Sequence, residues 1–87
     1  MSAVGAALAV VDAERDAREQ QAATVAKAVD HFRRVAARHP DWPVHMPAYS
    51  TLCAYGHLAP DTFKAVFEAL DLAVSEVIAQ RFEEATR

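Results

Sequence analysis

The sequence contains little glycine and almost no cysteine. Only two glycines and one cysteine occur among 87 residues. A single cysteine excludes an internal disulfide framework, and so few glycines are unusual for turn-rich β-sandwiches and barrels. No stretch approaches the roughly 18 uninterrupted apolar residues of a membrane-spanning helix. No basic residue precedes the apolar start, as it would in a secretory signal peptide, so we expect a cytoplasmic protein.

Alanine, by contrast, is abundant. Twenty residues are alanine, and only 26 of 87 are other apolar residues. Alanine is the strongest helix former, and a chain of this length has room for one core. We therefore expect a single all-α domain over residues 1–87, a small helical bundle with a thin core.

The charge balance is mildly acidic and uneven. The formal net charge is −3, with six bases and five acids in residues 1–40 but three bases and seven acids in residues 41–87. Nonspecific nucleic-acid binders and membrane-surface proteins usually carry a surplus of bases. The charge therefore disfavours nucleic acid as a partner and gives no reason to expect a membrane.

The first helix is predicted from apolar spacing and from prolines. Apolar residues recur at alternating intervals of three and four before residue 39, which is typical of a helix. Three prolines between residues 40 and 47 then disfavour helical backbone before them. We predict a helix over about residues 6–38, with residues 1–5 frayed and an alternative break at Asp12, a good N-cap residue.

Two more helices are predicted from their end signals. Pro47 suits a first helical position and Gly56 a left-handed residue after the last turn, which predicts a helix over residues 47–55. Pro60 suits the start of a third helix, whose apolar stripe continues to about residue 85. The order is thus long, short, long.

The two long helices should run antiparallel and leave apolar surface uncovered. Two helices this long cannot bury their stripes on each other and on one short helix. The most economical cover is a second copy of the chain, so we predict a homodimer. The residues expected in its core are Val25, Val29, Phe32, Phe67, Leu70 and Val74.

Two surfaces are candidates for binding another protein. The loop around Trp42 lies between prolines, and its tryptophan either anchors a partner or folds back to cap the bundle. The acidic side of the third helix would suit a basic partner. The candidate partner-binding residues are Trp42, His45, Met46, Glu68 and Asp71.

Residues 48–66 also have the outline of a helix-turn-helix. In that interpretation the third helix would enter the major groove of DNA, and arginines at the end of the first helix would contact phosphates. The match is poor, because the reading end carries one lysine against one aspartate. The base-reading residues would be Asp61, Thr62 and Lys64, and the phosphate contacts Arg33, Arg34 and Arg38.

Cys53 and His57 are the only pair that suggests a metal or thiol site. They are four residues apart, but Gly56 is expected to end the helix between them, so a buried structural cysteine is favoured. His45 and Asp61 are the nearest residues that could complete such a site. We predict no catalytic residue, no metal and no cofactor, and hence a small non-catalytic regulator, adaptor or inhibitor. A DNA-binding regulator and a metal or thiol protein remain the alternatives.

Overall fold

The computed structural model describes the backbone from residue 3 and the side chains from residue 11 to the C-terminus. It contains helices α1 (Ala3–Arg38), α2 (His45–Ala54) and α3 (Pro60–Ala85), and no strand within this part of the chain. The helices have 36, 10 and 26 residues. The prediction of an all-helical chain is confirmed, and none of the described helices is long and apolar enough to cross a membrane.

The helix boundaries differ from the predicted ones at two starts. Helix α1 begins at Ala3 instead of residue 6 and continues through Asp12 without a break; the part of the predicted frayed segment before Ala3 lies outside the described residues. Helix α2 begins at His45, so that Pro47 is its third residue. Proline is tolerated there because the first N–H groups of a helix have no intrahelical acceptor.

The prediction of a left-handed Gly56 is wrong. No glycine among the described residues has a positive φ. Helix α2 already ends at Ala54, and the N–H of Tyr55 closes the last turn by donating to the carbonyl of Thr51. The space at Gly56 is nevertheless tight, since a Cβ there would lie 3.2 Å from the carbonyl oxygen of Leu52.

The two long helices run parallel, and the antiparallel prediction is wrong. Arg33 of α1 forms an ion pair with Glu76 of α3 at 2.9 Å, and Ala36 accepts a hydrogen bond from Arg81 at 3.4 Å. Residues 18–26 of α1 and residues 65–72 of α3 line the same groove. Residue numbers therefore rise in the same direction along both helices. Each residue of α3 lies beside the residue of α1 that is 43 to 45 positions earlier in the sequence.

Helix α2 is the reason for this direction. It spans about 15 Å, and the five residues that follow it span up to about 16 Å more. Together they return the chain by roughly 30 Å, the length of about twenty helical residues. Helix α3 therefore starts beside residues 15–17 of α1, and residues 11–20 of α1 are all exposed.

The core lies where the three helices meet. Its buried apolar residues come from α1 and α3, and residues of α2 and of its two loops pack around them. Thr51 is fully buried, but its hydroxyl donates to the carbonyl of Pro47 at 2.9 Å, so its polar atom is satisfied. The buried apolar residues are Ala28, Phe32, Ala36, Val66, Leu70 and Ala73.

The molecule is elongated and exposes much surface. Its radius of gyration is 17.7 Å, against about 12 Å for a compact chain of this length. Its accessible surface is 6492 Å², whereas a compact monomer of this mass exposes about 5,000 Å². The difference of roughly 1,400 Å² is surface that a compact fold would cover.

Candidate interaction surfaces

Helix α3 carries a row of large apolar side chains that the chain does not cover. Phe67, Ile78 and Phe82 are 55 %, 51 % and 70 % exposed. Their spacings of eleven and four residues place them on one side of the helix. The core side of α3, with Val66 and Leu70, is adjacent to this row. We call Phe67, Ile78 and Phe82 the exposed stripe.

The two acidic residues predicted to bind a partner lie on different sides of α3. Asp71 follows Phe67 by one turn and precedes Ile78 by two, so it lies within the exposed stripe. Its carboxylate forms no ion pair among the described residues. Glu68 instead lines a groove between α1 and α3. Both residues are exposed.

That groove follows the line along which α1 and α3 meet. Toward the start of α3 its volume is about 470 Å³, and toward the end of α3 it is about 840 Å³. We call the whole the α1–α3 groove. Much of its lining is alanine, including Ala22, Ala26, Ala65, Ala69, Ala37 and Ala79.

The residues predicted for a dimer core are divided between core and surface. Phe32 and Leu70 are buried within one chain, so neither has surface left to offer a second copy. Val25, Val29 and Val74 are half-buried and pack against the same core. Phe67 is exposed. The physical reason is that α2 and the parallel pair of α1 and α3 already enclose Phe32 and Leu70 within one chain.

The loop that carries Trp42 is closed onto the end of the bundle. The indole is half-buried and stacks on the ring of His39, with 3.6 Å between ring centroids and 5° between planes. Arg81 of α3 donates to the main-chain oxygen of Trp42. His45 and Met46 are exposed at the start of α2. This geometry corresponds to the alternative in which Trp42 caps the bundle. His45 and Met46 remain accessible.

Tyr49 was missed by the sequence analysis. It is 70 % exposed on α2. Helix α2 is too short for its apolar residues to define a side by periodicity, so no sequence signal distinguished Tyr49 from the partly buried Leu52 and Tyr55.

Helices α2 and α3 have the outline of a helix-turn-helix, but the basic residues do not lie where DNA binding by this motif would need them. Helices α2 and α3 are joined by a five-residue turn, and Asp61 and Lys64 are exposed with Thr62 half-buried. Arg33, however, is bound to Glu76, roughly 18 Å along α3 from Lys64. The basic residues and the reading end therefore lie at opposite ends of the helix. Of the remaining arginines, Arg34 pairs with Asp30 at 2.9 Å and Arg38 is exposed at the end of α1.

Cys53 and His57 do not share a helical face. Cys53 is exposed near the end of α2, and His57 lies in the turn that follows. The buried structural cysteine favoured by the sequence is therefore wrong. No group of three or more histidine, cysteine, aspartate or glutamate side chains within the described residues is arranged to hold a metal ion.

One buried side-chain polar atom among residues 11–87 has no hydrogen-bond partner. Nε2 of His31 is buried and accepts or donates no hydrogen bond. The ring lies edge-on to Tyr55, with 6.3 Å between centroids. Sequence analysis gave this histidine no role, because nothing in its spacing indicated that α2 would cover it.

Known proteins provide no further guide to these surfaces. No protein-family model, curated protein or solved structure matches the chain. The function is therefore argued from the residues themselves.

Proposed function

We propose that this protein is a non-catalytic helical module that binds another protein through the exposed stripe of α3. The observation that supports this is the stripe itself, in which three large apolar side chains are each more than half exposed on one side of one helix. Single exposed apolar residues are common and need no explanation, whereas several large ones on one side of one helix are characteristic of a binding surface.

The geometry of the stripe suggests an amphipathic helix as the partner. From Phe67 to Phe82 the stripe extends over about 22 Å, or four helical turns. A helix with apolar residues at intervals of three and four could lie along it and bury both phenylalanines, which have the size and rigidity of typical binding anchors. Asp71 within the stripe favours a partner with a basic residue at that height, because a buried carboxylate needs a counter-charge.

The start of α2 supplies a second, smaller contact surface in this proposal. His45 and Met46 are exposed there, and Met46 is an adaptable apolar side chain. Trp42, held by His39 and Arg81, keeps the loop before them in one conformation. Binding of this kind requires no cofactor and no catalytic group.

The test is capture from a lysate of the source organism with chemical cross-linking. The double variant Phe67→Ser/Ile78→Ser should lose captured partners at least tenfold relative to the original chain. Tyr49→Ser is the control, because it removes a still more exposed aromatic residue from another helix. Equal capture by all three chains would contradict the proposal.

Charge reversal at Asp71 tests the chemistry of the partner. Two designed helical peptides with apolar residues at the same spacing, one with a central lysine and one with a central glutamate, serve as defined probes. The original chain should bind the lysine peptide more tightly, and Asp71→Lys should reverse the order in fluorescence anisotropy. An order that Asp71→Lys leaves unchanged would place the peptides on a different surface.

A further inference from the structure

The first half of α3 carries a charge pattern centred on Phe67. Lys64 lies three residues before Phe67 and Asp71 four residues after it, so the three side chains lie on one side of the helix. All three are exposed. Within residues 11–87, neither Lys64 nor Asp71 forms an ion pair. The exposed stripe therefore begins with an aromatic residue between a cation one turn before it and an anion one turn after it.

We propose that a second copy of the chain docks on this part of the stripe, with its α3 antiparallel and a two-fold axis passing beside Phe67. The contact is of α3 on α3, over residues 60–75 of each copy, which we call the pairing segment. The inference rests on the proposed function, because it names a second copy as the occupant of half of the exposed stripe when the other protein is absent.

The two-fold axis explains why both charges are present. When Lys64 lies level with Asp71 of the second copy, the symmetry places Asp71 level with Lys64 of that copy. Phe67 is almost midway between the two, so it meets its own counterpart beside the axis. One cation and one anion per chain thus give two complementary ion pairs, one on each side of the paired rings. Parallel docking would instead place like charges side by side.

The charges also select one antiparallel alignment over another. A shifted alignment could place Phe67 level with Phe82 of the second copy and so cover the whole exposed stripe. That alignment would place Asp71 level with Ile78 and bury its carboxylate among apolar side chains without a cation. The alignment through Lys64 avoids this cost, and it leaves Ile78 and Phe82 exposed beyond the start of the second copy's α3.

The other helices of the chain leave room for this docking. Val66 lies in the middle of the buried side of α3, between Leu70 and Ala73 around the helix axis. Phe67, Asp71 and Lys64 lie about 100° to 160° around the axis from Val66. The second copy therefore approaches from the side of α3 that is turned away from the core.

The size of the contact indicates a transient pair. The pairing segment extends over about 24 Å, and one helix pair of that length buries less than the roughly 1,200 Å² that marks a stable complex. A partner helix that lies along the stripe from Phe67 to Phe82 also covers the apolar residues that the second copy leaves exposed. The other protein and the second copy thus compete for Phe67 and Asp71, and the other protein displaces the second copy.

Sedimentation equilibrium of the full chain measures the pairing. The weight-average mass should rise from 9.5 kDa at about 5 µM toward twice that value at about 1 mM, the range of a transient interface. Phe67→Ser should keep the chain monomeric over the whole range. Phe82→Ser is the control, because Phe82 is more exposed than Phe67 but lies outside the pairing segment, and it should leave the rise unchanged.

Two results of this measurement would overturn the inference. A chain that is still monomeric at about 1 mM has no such pairing, because that concentration exceeds the range of a transient interface. A dimer that is lost in Phe82→Ser as well as in Phe67→Ser would follow the shifted alignment, in which the charges of Lys64 and Asp71 do not meet.

Charge reversal tests the two ion pairs directly. Lys64→Glu and Asp71→Lys should each raise the dimer dissociation constant about tenfold, because both pairs become repulsive. The double variant Lys64→Glu/Asp71→Lys should dimerise as tightly as the original chain, because each pair is complementary again. Lys27→Glu is the matched control, since it makes the same charge change at an exposed lysine of α1 and should leave the dissociation constant unchanged.

The double variant decides the direction of docking. Far-UV circular dichroism verifies that each variant keeps its helices. Single variants that dimerise as tightly as the original chain would overturn antiparallel pairing, because parallel docking brings like charges together before and after each reversal. A folded double variant that dimerises no better than the single ones would also overturn it.

The peptide with a central lysine separates this inference from the proposed function. In excess, it should convert the dimer into a complex of one chain with one peptide. A chain that binds the peptide but stays monomeric at about 1 mM would overturn the second copy alone. A chain that dimerises but binds neither peptide and captures no protein would overturn the proposed function alone. A peptide that binds without dissociating the dimer would overturn the competition between them.

Discussion

The guanidinium of Arg81 donates a hydrogen bond to the main-chain oxygen of Trp42 and so ties the end of α3 to the loop between α1 and α2. The same side chain reaches the carbonyls of Ala36 and His39 at 3.4 Å each. The carbonyl of Ala36 lies in the last turn of α1, where carbonyls have no intrahelical donor and carry the negative end of the helix dipole. The carbonyl of His39 lies directly after the helix and also accepts from the N–H of Trp42. One partly buried cation therefore closes one end of the bundle.

Removal of this cation should destabilise the fold. We expect Arg81→Ala to lower the free energy of unfolding by about 1.5–3 kcal/mol, the usual range for hydrogen bonds to a charged group. Urea unfolding measures this, and the Trp42 fluorescence should become more readily quenched by acrylamide as the loop loosens. Arg87→Ala, at the exposed C-terminus, is the control and should change stability by less than about 0.5 kcal/mol. Equal effects of the two variants would contradict the role given to Arg81.

Two phenylalanines should respond very differently to truncation. Phe32 is fully buried whereas Phe82 is 70 % exposed. Phe32→Ala should cost about 3–5 kcal/mol through lost burial and the cavity left behind. Phe82→Ala should change stability by less than about 0.5 kcal/mol. Thermal unfolding of both variants, at a protein concentration where the chain is monomeric, measures the two stability changes. A large loss of stability in Phe82→Ala would mean that the exposed stripe is covered in the folded chain.

His31 should be replaceable by an apolar residue. Its buried Nε2 has no hydrogen-bond partner, and an unsatisfied buried polar atom costs about 1–3 kcal/mol. We expect His31→Leu to leave the free energy of unfolding unchanged or raise it by about 1 kcal/mol. The exposed His57→Leu should have no effect. A loss of more than about 1 kcal/mol in His31→Leu would show that the imidazole makes a polar contact in solution.

The start of α1 should exchange its amide hydrogens quickly. Residues 11–14 precede the point where α3 begins to run beside α1, and a helix segment without tertiary packing is only marginally stable. We expect their amides to exchange at least about 100-fold faster than those of residues 28–36, which open only when the core opens. Mass spectrometry of peptic fragments measures both ranges. Similar protection in the two would show that another surface covers residues 11–14.

Local sequence signals predicted the helices better than their arrangement. Prolines and the alanine content indicated three helices, and Pro60 marked the start of α3 correctly. The relative direction of α1 and α3 could not be read in this way, because apolar spacing defines the side of a helix that is buried but carries no sign of direction. The relative direction depends on how far α2 and the five residues after it carry the chain back along α1 before α3 begins at Pro60.

The local sequence also could not predict which apolar residues of α3 are buried and which are exposed. Its stripe is broader than one neighbour can cover, so Leu70 becomes buried while Phe67, three residues earlier, stays exposed. The parallel packing of α3 on α1 decides which of the apolar residues of α3 face the core. The same reason explains why the predicted dimer core contains residues that the single chain already encloses, and why Glu68 and Asp71 belong to different surfaces.

The parallel direction of α1 and α3 also bears on how the chain folds. Contacts between these helices join residues 43 to 45 positions apart, whereas His31 of α1 and Tyr55, directly after α2, are separated by about half as many positions. Closing the larger loop costs more chain entropy, so α1 and α2 should associate first and offer α3 a template. The rate-limiting step would then be the docking of α3, so substitutions in α2, whose contacts with α1 are already formed at that step, should slow refolding in proportion to the stability they remove.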